Sequence, residues 1–536
     1  MKKRILCAAL AGMMAFSLAA CQSGDSSSTS TTSAEETSSS AETGSAASEE
    51  SGEESSETAD AVPSAIDMEG DPYHCILMYL NLSEGTGYDE VCEAVNELSL
   101  KEINMETELI PVSYGTWQTT CNMMLASNEP LDLFMSTSSY LATYIQSGYI
   151  ADWSDYLDQI PAIVAYYGDE LQAGYVGDFM ALIATNKERP TNFGLVARTD
   201  IMEELGYSAD DFAIDPNDPS SYDKLDEMFA AVKESYPGMT AIAGQQGLGY
   251  YVNGYCDSLS DGFGVLEDFG QTTTVTNWYE SQQYKDLVTI AKRWYDAGYY
   301  SSDVVTSQDT GETLLKAGNL FSFIVGLKPN TAVEKVAQCG YDVEIIPMMG
   351  TSIYTTAGYN AMGYSIANAS EDKAKAAAYY NWAFQSGELN DLLNWGIEGV
   401  DWVEDENGQA AYPEGMDGSN YRYHNDLGFI YPNQTAGHAW AGNPSDIWQQ
   451  YKDEADNALK SMAFGFTYDP SNVTDQAIAC TAVNSQYQKT LWFGAVDDVD
   501  AAIATYNEAL YGAGLQTIID EKQAQLDAWL QENGNA

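Results

Sequence analysis

Basic residues are scarce in this chain. Its 536 residues include 22 Lys and Arg against 80 Asp and Glu, for a formal net charge of -58 at pH 7. A nucleic-acid-binding protein needs a basic surface to neutralise phosphates, and this composition cannot supply one. The sequence therefore excludes nucleic acid as a natural partner. The acidic excess favours solubility and carries little information about chemistry.

Motifs for catalysis, metal binding and phosphate binding are also missing. The sequence contains no G-x-S-x-G, no H-E-x-x-H and no G-x-x-x-x-G-K-[ST] segment. Its three histidines, His74, His424 and His438, show no ligand spacing. We therefore predict no cofactor, no metal and no enzyme activity. A glycosidase carboxylate pair stays open, because 80 acidic residues offer many pairs.

Only one long apolar run is present, and it lies at the N-terminus. Met1-Lys2-Lys3-Arg4 precedes an apolar stretch that ends at Leu18-Ala19-Ala20-Cys21. A basic start, a short apolar core and small residues before a cysteine indicate a bacterial lipoprotein signal peptide over residues 1–20. Cys21 is then the lipidated residue. An ordinary secretory signal, in which Cys21 is incidental, is the alternative.

Residues 21–70 are predicted to be a disordered stalk. They are dominated by Ser, Thr, Ala, Gly and acidic residues. Such a segment cannot bury enough apolar surface to offset the entropy lost on ordering. The stalk is expected to hold the folded part away from the membrane.

Cysteine is sparse in the folded part and shows no C-x-x-C spacing. Six residues are scattered along it: Cys75, Cys92, Cys121, Cys256, Cys339 and Cys480. We interpret them as small buried apolar residues, and disulfide pairing stays open for an exported chain.

The first residues after the stalk show an alternation of strands and helices. Apolar runs predict strands at 75–80, around 109–112 and at 131–135, and apolar spacing predicts helices around Val91, Val95 and Leu98 and at 117–126. This alternation predicts a mostly parallel sheet with a ligand beyond the carboxyl ends of its strands. The loops 81–87 and 136–140 lie at such ends.

Several segments resemble the extracellular solute-binding proteins of ABC importers, in the superfamily of maltose-binding protein. They occur in the expected order: Asp132-Leu133-Phe134, 148–157 (GYIADWSDYL), 192–200 (NFGLVARTD), 203–207 (EELGY) and 315–320 (LKAGNL). The last third is similar to a Firmicutes subfamily with a C-terminal region called DUF3502, through the segments 361–367 (AMGYSIA), 392–402 (LLNWGIEGVDW), 440–443 (WAGN) and 465–469 (GFTYD).

The resemblance implies an α/β fold of the two-lobe, type II periplasmic-binding-protein kind. Its expected features are parallel-rich mixed sheets, hinge crossings and C-terminal helices. Lobe A is predicted to comprise 71–186 with 354–400, and lobe B to comprise 187–353. The DUF3502-like region, 401–536, is expected to pack largely on lobe B.

Aromatic residues are abundant, with 37 Tyr and 11 Trp. Rings that carry a hydrogen-bonding edge suit sugars, which have apolar faces and hydroxyl rims. For most individual rings, a place in the core is the alternative interpretation. The predicted ligand-binding residues follow predicted strands or lie in family segments: Ser138, Tyr140, Tyr250, Tyr251, Tyr359, Asn360, Trp395 and Glu398. Glu398 equally suits a helix cap.

The resemblance predicts a monomeric protein, lipid-anchored to the extracellular face of the cell membrane. It would capture a carbohydrate, an oligosaccharide in our interpretation, between its lobes and deliver it to ABC permease subunits. Three alternatives stay open. They are a peptide-binding or other small-solute-binding lipoprotein of an importer, a cell-surface glycoside hydrolase, and an adhesin or scaffold.

Overall fold

The structure is a computed structural model that describes residues 62–83, 85–250 and 252–533. The predicted signal peptide, Cys21 and most of the predicted stalk lie outside these residues. Among the described helices, none combines the length and the apolar character that crossing a membrane requires.

Most described strands are short. In chain order they are β1 Tyr73–Leu80, β2 Met105–Val112, β3 Leu133–Ser136, β4 Tyr175–Val176, β5 Phe179–Met180, β6 Ile183–Ala184, β7 Phe193–Arg198, β8 Thr240–Ile242, β9 Leu320–Gly326, β10 Val343–Pro347, β11 Ile353–Tyr354, β12 Gly363–Ile366, β13 Val403–Glu404, β14 Ala410–Ala411 and β15 Leu459–Lys460.

The α-helices of six residues or more are longest near the C-terminus. They are α1 Tyr88–Ile103, α2 Trp117–Ser127, α3 Ser138–Gln146, α4 Pro161–Tyr167, α5 Thr199–Leu205, α6 Asp223–Ser235, α7 Gln282–Asp296, α8 Gly311–Lys316, α9 Thr331–Cys339, α10 Lys373–Gln385, α11 Gly387–Asn394, α12 Ile447–Asn457, α13 Thr474–Trp492, α14 Val499–Gly512 and α15 Leu515–Glu532.

Helix ends follow local chemistry. Side chains of Ser281, Asp372 and Asp498 accept backbone N–H bonds at the starts of α7, α10 and α14. Asn104 ends α1 and Gly206 ends α5, both in the left-handed conformation that these residue types tolerate. Local sequence therefore sets these boundaries.

Lobe A is built on a five-stranded sheet in the order β2-β1-β3-β12-β6. β1 is parallel to β2 and β3, whereas β12 is antiparallel to β3 and β6. The predicted opening unit is confirmed, and Val91, Val95 and Leu98 are buried on α1 as their spacing indicates. Because β1 and β3 are parallel, the loops after them lie at one edge of the sheet.

Lobe B contains a four-stranded sheet in the order β10-β7-β9-β8. β7 is antiparallel to β9 and β10, and β8 is parallel to β9. β8, β9 and β10 therefore end at the same edge, where β7 begins. Each lobe has its own core, with Phe134, Trp153 and Tyr380 in lobe A. The lobe B core includes Trp294 and also Leu526 from α15.

In the C-terminal region, the segment 423–431 packs on lobe A, whereas α13, α14 and α15 contribute to the lobe B core. Tyr423, Leu427, Ile430 and Tyr431 are buried in the lobe A core. The Asn425 side chain also donates a hydrogen bond to the Leu80 carbonyl at the end of β1, at 3.1 Å. This segment belongs to lobe A because its rings fill the space beside β1.

All six described cysteines are unpaired, and five of them are buried. Burial raises the pKa of Cys121 to about 12, which keeps that thiol protonated at neutral pH. These side chains therefore contribute apolar packing.

Candidate functional site

Three chain segments connect the lobes, and they lie side by side. The first links β6 to β7, the second leads from β10 through β11 to β12, and the third contains β15. β11 pairs in parallel with β15, and Thr191 of the first segment bridges Ile353 of β11. Bending of these segments changes the angle between the lobes, as in hinge-closing proteins.

Glu170 of lobe A holds all three connecting segments. Its carboxylate lies 2.6 Å from Arg189 Nη1, 2.9 Å from the Tyr354 hydroxyl and 3.1 Å from Lys460 Nζ. The Arg189 guanidinium also lies over the Tyr354 ring, 5.4 Å from its centroid. One carboxylate thus sets the relative position of the three hinge segments.

A small cavity of about 40 Å³ lies where the lobes meet. Lobe A contributes Ser138, which starts α3 after β3, and Asn360, which precedes β12. The Ser138 backbone N–H donates to the Asn360 carbonyl at 3.1 Å, so the two loops are held together. Asp257 and Ser260 line the opposite wall, and residues 466–468 complete the cavity.

Several polar groups around this cavity have no hydrogen-bond partner of ordinary geometry among the described residues. They are Asp257 Oδ2, Asn360 Oδ1, Thr467 Oγ1 and the Tyr468 hydroxyl. Asp257 is 2% exposed and Asn360 is 1% exposed, so neither side chain is well solvated. Burial raises the pKa of Asp257, and its interaction with the Ser461 side chain opposes that rise. Buried polar groups are normally paired, so this cavity is prepared for polar atoms of another molecule.

An aromatic cluster covers the loop after β1. Its rings are Tyr412, Tyr421, His424 and Trp440, and Trp395 lies beneath them. The Trp440 ring centroid is 4.8 Å from Trp395, 4.7 Å from Tyr412 and 4.5 Å from His424. Burial lowers the pKa of His424 to about 4, so this imidazole is neutral at pH 7. The cluster is therefore a largely uncharged aromatic surface.

The aromatic cluster also lies at the junction of the lobes. On the lobe A side, the His424 N–H donates to Ser83 Oγ in the loop after β1, at 3.2 Å. On the lobe B side, a Cβ at Gly442, two residues after Trp440, would lie 4.0 Å from Val333 Cγ1 on α9. The cluster and the cavity thus lie at neighbouring strand ends of one sheet edge.

A groove of about 870 Å³ adjoins the cavity, because Phe466 and Thr467 line both. One wall is the end of α3 with the hairpin formed by β4 and β5, and the other is α15. Tyr175 and Trp529 provide aromatic rings, and Gln525 provides an amide. The volume is within the range typical of small-molecule sites.

The structure brings two of the predicted ligand-binding residues together, Ser138 and Asn360. Tyr140 lies nearby on α3, half-buried, and stacks on Tyr144 with ring centroids 6.0 Å apart. Tyr250 is 40% exposed in lobe B and contacts the Trp492 ring edge-on, at 5.0 Å. Tyr251 lies outside the described residues, as does Cys21.

Three other predicted residues occupy different surroundings. Tyr359 is buried in the lobe A core against Tyr167. Trp395 is 5% exposed, and its indole N–H donates to the His438 carbonyl at 3.0 Å. Glu398 is exposed and lines a separate groove of about 680 Å³ between α1 and α11. The structure does not place these three side chains at the junction cavity.

Sequence reasoning missed Asp257 and most of the aromatic cluster. Trp440 carried a signal, since it opens the family-like WAGN segment. Asp257 carried none, because one acid among 80 is not distinguished by its neighbours in sequence.

Two α/β lobes joined by three adjacent segments around a polar and aromatic junction define a two-lobe binding protein. Residues 93–397 match the family described as bacterial extracellular solute-binding protein. The match spans more than half of the chain, which therefore belongs to this family. The chain is accordingly a solute carrier and not an enzyme. Residues 462–531 match a domain of unknown function, DUF3502.

The chain is similar to a carbohydrate ABC transporter substrate-binding protein of Streptococcus pneumoniae serotype 4. The two are 23% identical over 473 residues, which cover 85% of this chain and 91% of the relative.

Solved structures confirm the predicted fold class. The N-glycan transport solute-binding protein of Streptococcus pneumoniae superposes with a TM-score of 0.73 at 20% identity, over 86% of this chain and all of that one. A solute-binding protein from Bifidobacterium longum infantis, described as binding HMO, has a TM-score of 0.58 at 14% identity, over 86% of this chain and 99% of that one.

Proposed function

We propose that this protein captures an extracellular carbohydrate, an oligosaccharide, between its lobes and delivers it to the permease subunits of an ABC importer. One observation carries the proposal. Aromatic rings and unpaired polar groups lie at neighbouring strand ends of one sheet edge, and lobe B forms one wall of the cavity between the polar groups. Aromatic rings pack on the apolar faces of sugars, and polar groups hydrogen-bond to their hydroxyls.

The relatives support a sugar over a peptide. One is described as a carbohydrate transporter component, and solved structures of another contain Man1GlcNAc and Man5GlcNAc. A peptide-binding or other small-solute lipoprotein is the second candidate.

A thermal-shift screen tests the proposal. The purified protein is heated with Man1GlcNAc, Man5GlcNAc, kestose and a panel of short peptides, and isothermal titration follows for each compound that shifts the melting temperature. A ligand at about 100 times its dissociation constant adds about 2.7 kcal/mol of stability. Stabilisation by a sugar alone supports the proposal. Stabilisation by peptides alone supports the second candidate and contradicts the carbohydrate.

Trp440→Ala tests the aromatic cluster directly. Loss of a ring that packs on a sugar should weaken binding about tenfold or more, because its buried apolar contact is lost. Tyr511→Ala is the matched control, since that partly exposed ring lies on α14 and contacts Glu280. Unchanged affinity in the Trp440 variant would exclude the cluster from the site.

We further propose that Cys21 anchors the protein to the extracellular face of the cell membrane, where it acts as a monomer. Cys21→Ala should bind the same solute but lose labelling by a clickable fatty acid. Equal labelling of wild type and variant would contradict the anchor.

A further inference from the structure

Lys522 of the DUF3502 region is a fully buried lysine. It lies on α15, and its ammonium contacts the lobe B loop 258–264 at three points. Nζ lies 2.6 Å from Asp261 Oδ1, 3.0 Å from the Gly264 carbonyl and 3.4 Å from the Ser258 carbonyl. A buried ammonium costs free energy unless it is paired in this way, so Lys522 holds the loop firmly.

The loop 258–264 has an unfavourable backbone. Leu259 and Ser260 have φ values of 45° and 93°, which residues other than glycine rarely adopt. Asp257 supports the turn, because its Oδ1 accepts the Leu259 N–H at 3.0 Å. Strained residues persist where surrounding contacts hold them, often at binding sites.

The strained end of this loop is the lobe B wall of the junction cavity. Asp257, Leu259 and Ser260 line that wall, and Asn360 lies on the lobe A side. A cavity of about 40 Å³ holds a hydroxyl group or a few waters and is too small for a sugar ring. The unpaired oxygens of Asp257 and Asn360 are acceptors, and the Thr467 and Tyr468 hydroxyls are also able to donate.

We propose that this cavity is an end subsite that receives a hydroxyl-bearing group of the terminal sugar, and that the DUF3502 region forms it by holding the loop 258–264 through Lys522. The inference rests on the proposed function and assigns a role to the C-terminal helices. One hydroxyl of this group donates to Asp257 and a second donates to Asn360, and because these residues belong to different lobes, binding also favours closure.

Asp257→Asn tests the subsite with almost no change in shape. The probe is whichever sugar of the panel stabilises the wild type most, together with its monodeoxy analogues at the terminal residue. Wild type should discriminate against one analogue by about tenfold or more, because a lost hydrogen bond leaves a buried acceptor unpaired. The variant should bind the parent sugar about tenfold more weakly and no longer discriminate against that analogue. Asp500→Asn, at an exposed carboxylate in the same C-terminal region, should behave as wild type.

Lys522→Met tests whether Lys522 positions the loop. The measurement is again the affinity for the parent sugar relative to its monodeoxy analogue, and the variant should lose this discrimination. The double variant should lose less discrimination than the sum of the losses in Lys522→Met and Asp257→Asn, because both changes act through one loop. If Lys522→Met does not fold, Asp261→Asn replaces it, because Asp261 is the ion-pair partner.

The outcomes separate the two proposals. If Asp257→Asn binds the sugar and its analogue as wild type does, the proposed subsite is overturned, whereas the proposed sugar binding still stands. Full discrimination in the folded Lys522 or Asp261 variant would overturn the role of the C-terminal region. Failure of every sugar to bind the wild type would overturn the proposed function and the subsite with it.

Discussion

Trp395 supports the aromatic cluster from below. Its ring is 5% exposed and packs among Trp402, Ala410 and Trp440. Trp395→Ala should lower the free energy of unfolding by about 3–5 kcal/mol, because truncating a buried large side chain leaves a cavity. Urea denaturation measures this change. A variant of wild-type stability that has lost solute affinity would instead place the ring in contact with the solute.

Glu454 makes stability depend on pH. Burial raises the pKa of this carboxyl to about 7, its hydrogen bond with Ser352 opposes the rise, and the nearby Glu188 adds to it. The pKa of a Glu in an unfolded chain is about 4.3. Between about pH 4.3 and pH 7, the folded chain therefore keeps the proton on Glu454, whereas the unfolded chain releases it. Stability contributed by Glu454 is therefore lost as pH rises from about 4.3 to 7.

Glu454→Gln removes this titration. The melting temperature of the variant minus that of wild type should be larger at pH 8 than at pH 5, as scanning calorimetry can measure. Asp456→Asn on the same helix is the control, because Asp456 is exposed and pairs with Lys452 in solvent. An equal difference at both pH values would show that Glu454 does not titrate in this window.

At the scale of elements, the hinge depends on one carboxylate. Glu170→Gln removes the charge that pairs with Arg189 and Lys460, and the Arg189 side chain is only 10% exposed. Unfolding free energy should fall by about 1–3 kcal/mol, because a poorly solvated guanidinium loses its charged partner. Asp500→Asn removes the partner of Lys285, whose side chain is 43% exposed, and should cost less than about 1 kcal/mol. Chemical denaturation measures both changes. Equal losses of unfolding free energy in the two variants would contradict a stabilising role of Glu170 in the hinge.

The first α/β elements could be predicted because their signals are local. Apolar spacing placed α1 and the strands beside it within a few residues of their observed bounds. The packing of 423–431 on lobe A was not predictable, since it depends on contacts with β1, far away in sequence.

At the scale of the whole molecule, solute binding should bring the lobes together. A sugar that contacts Asn360 of lobe A and Asp257 of lobe B binds the closed form better than the open form. X-ray scattering should show a smaller radius of gyration at saturating sugar. As a control, a sugar that gives no thermal shift should leave the scattering curve unchanged. An unchanged curve with the binding sugar would contradict hinge closure.

The sequence by itself determined the family, the two-lobe fold and the capture of a solute, because ordered motifs and apolar periodicity are properties of short segments. Only the tertiary structure decided which residues meet. It brought Ser138 and Asn360 together, buried Trp395 beneath Trp440, and placed the Asp257 carboxyl beside a cavity. The physical reason is that periodicity reports which face of an element is buried, whereas a binding site depends on how distant elements pack against one another.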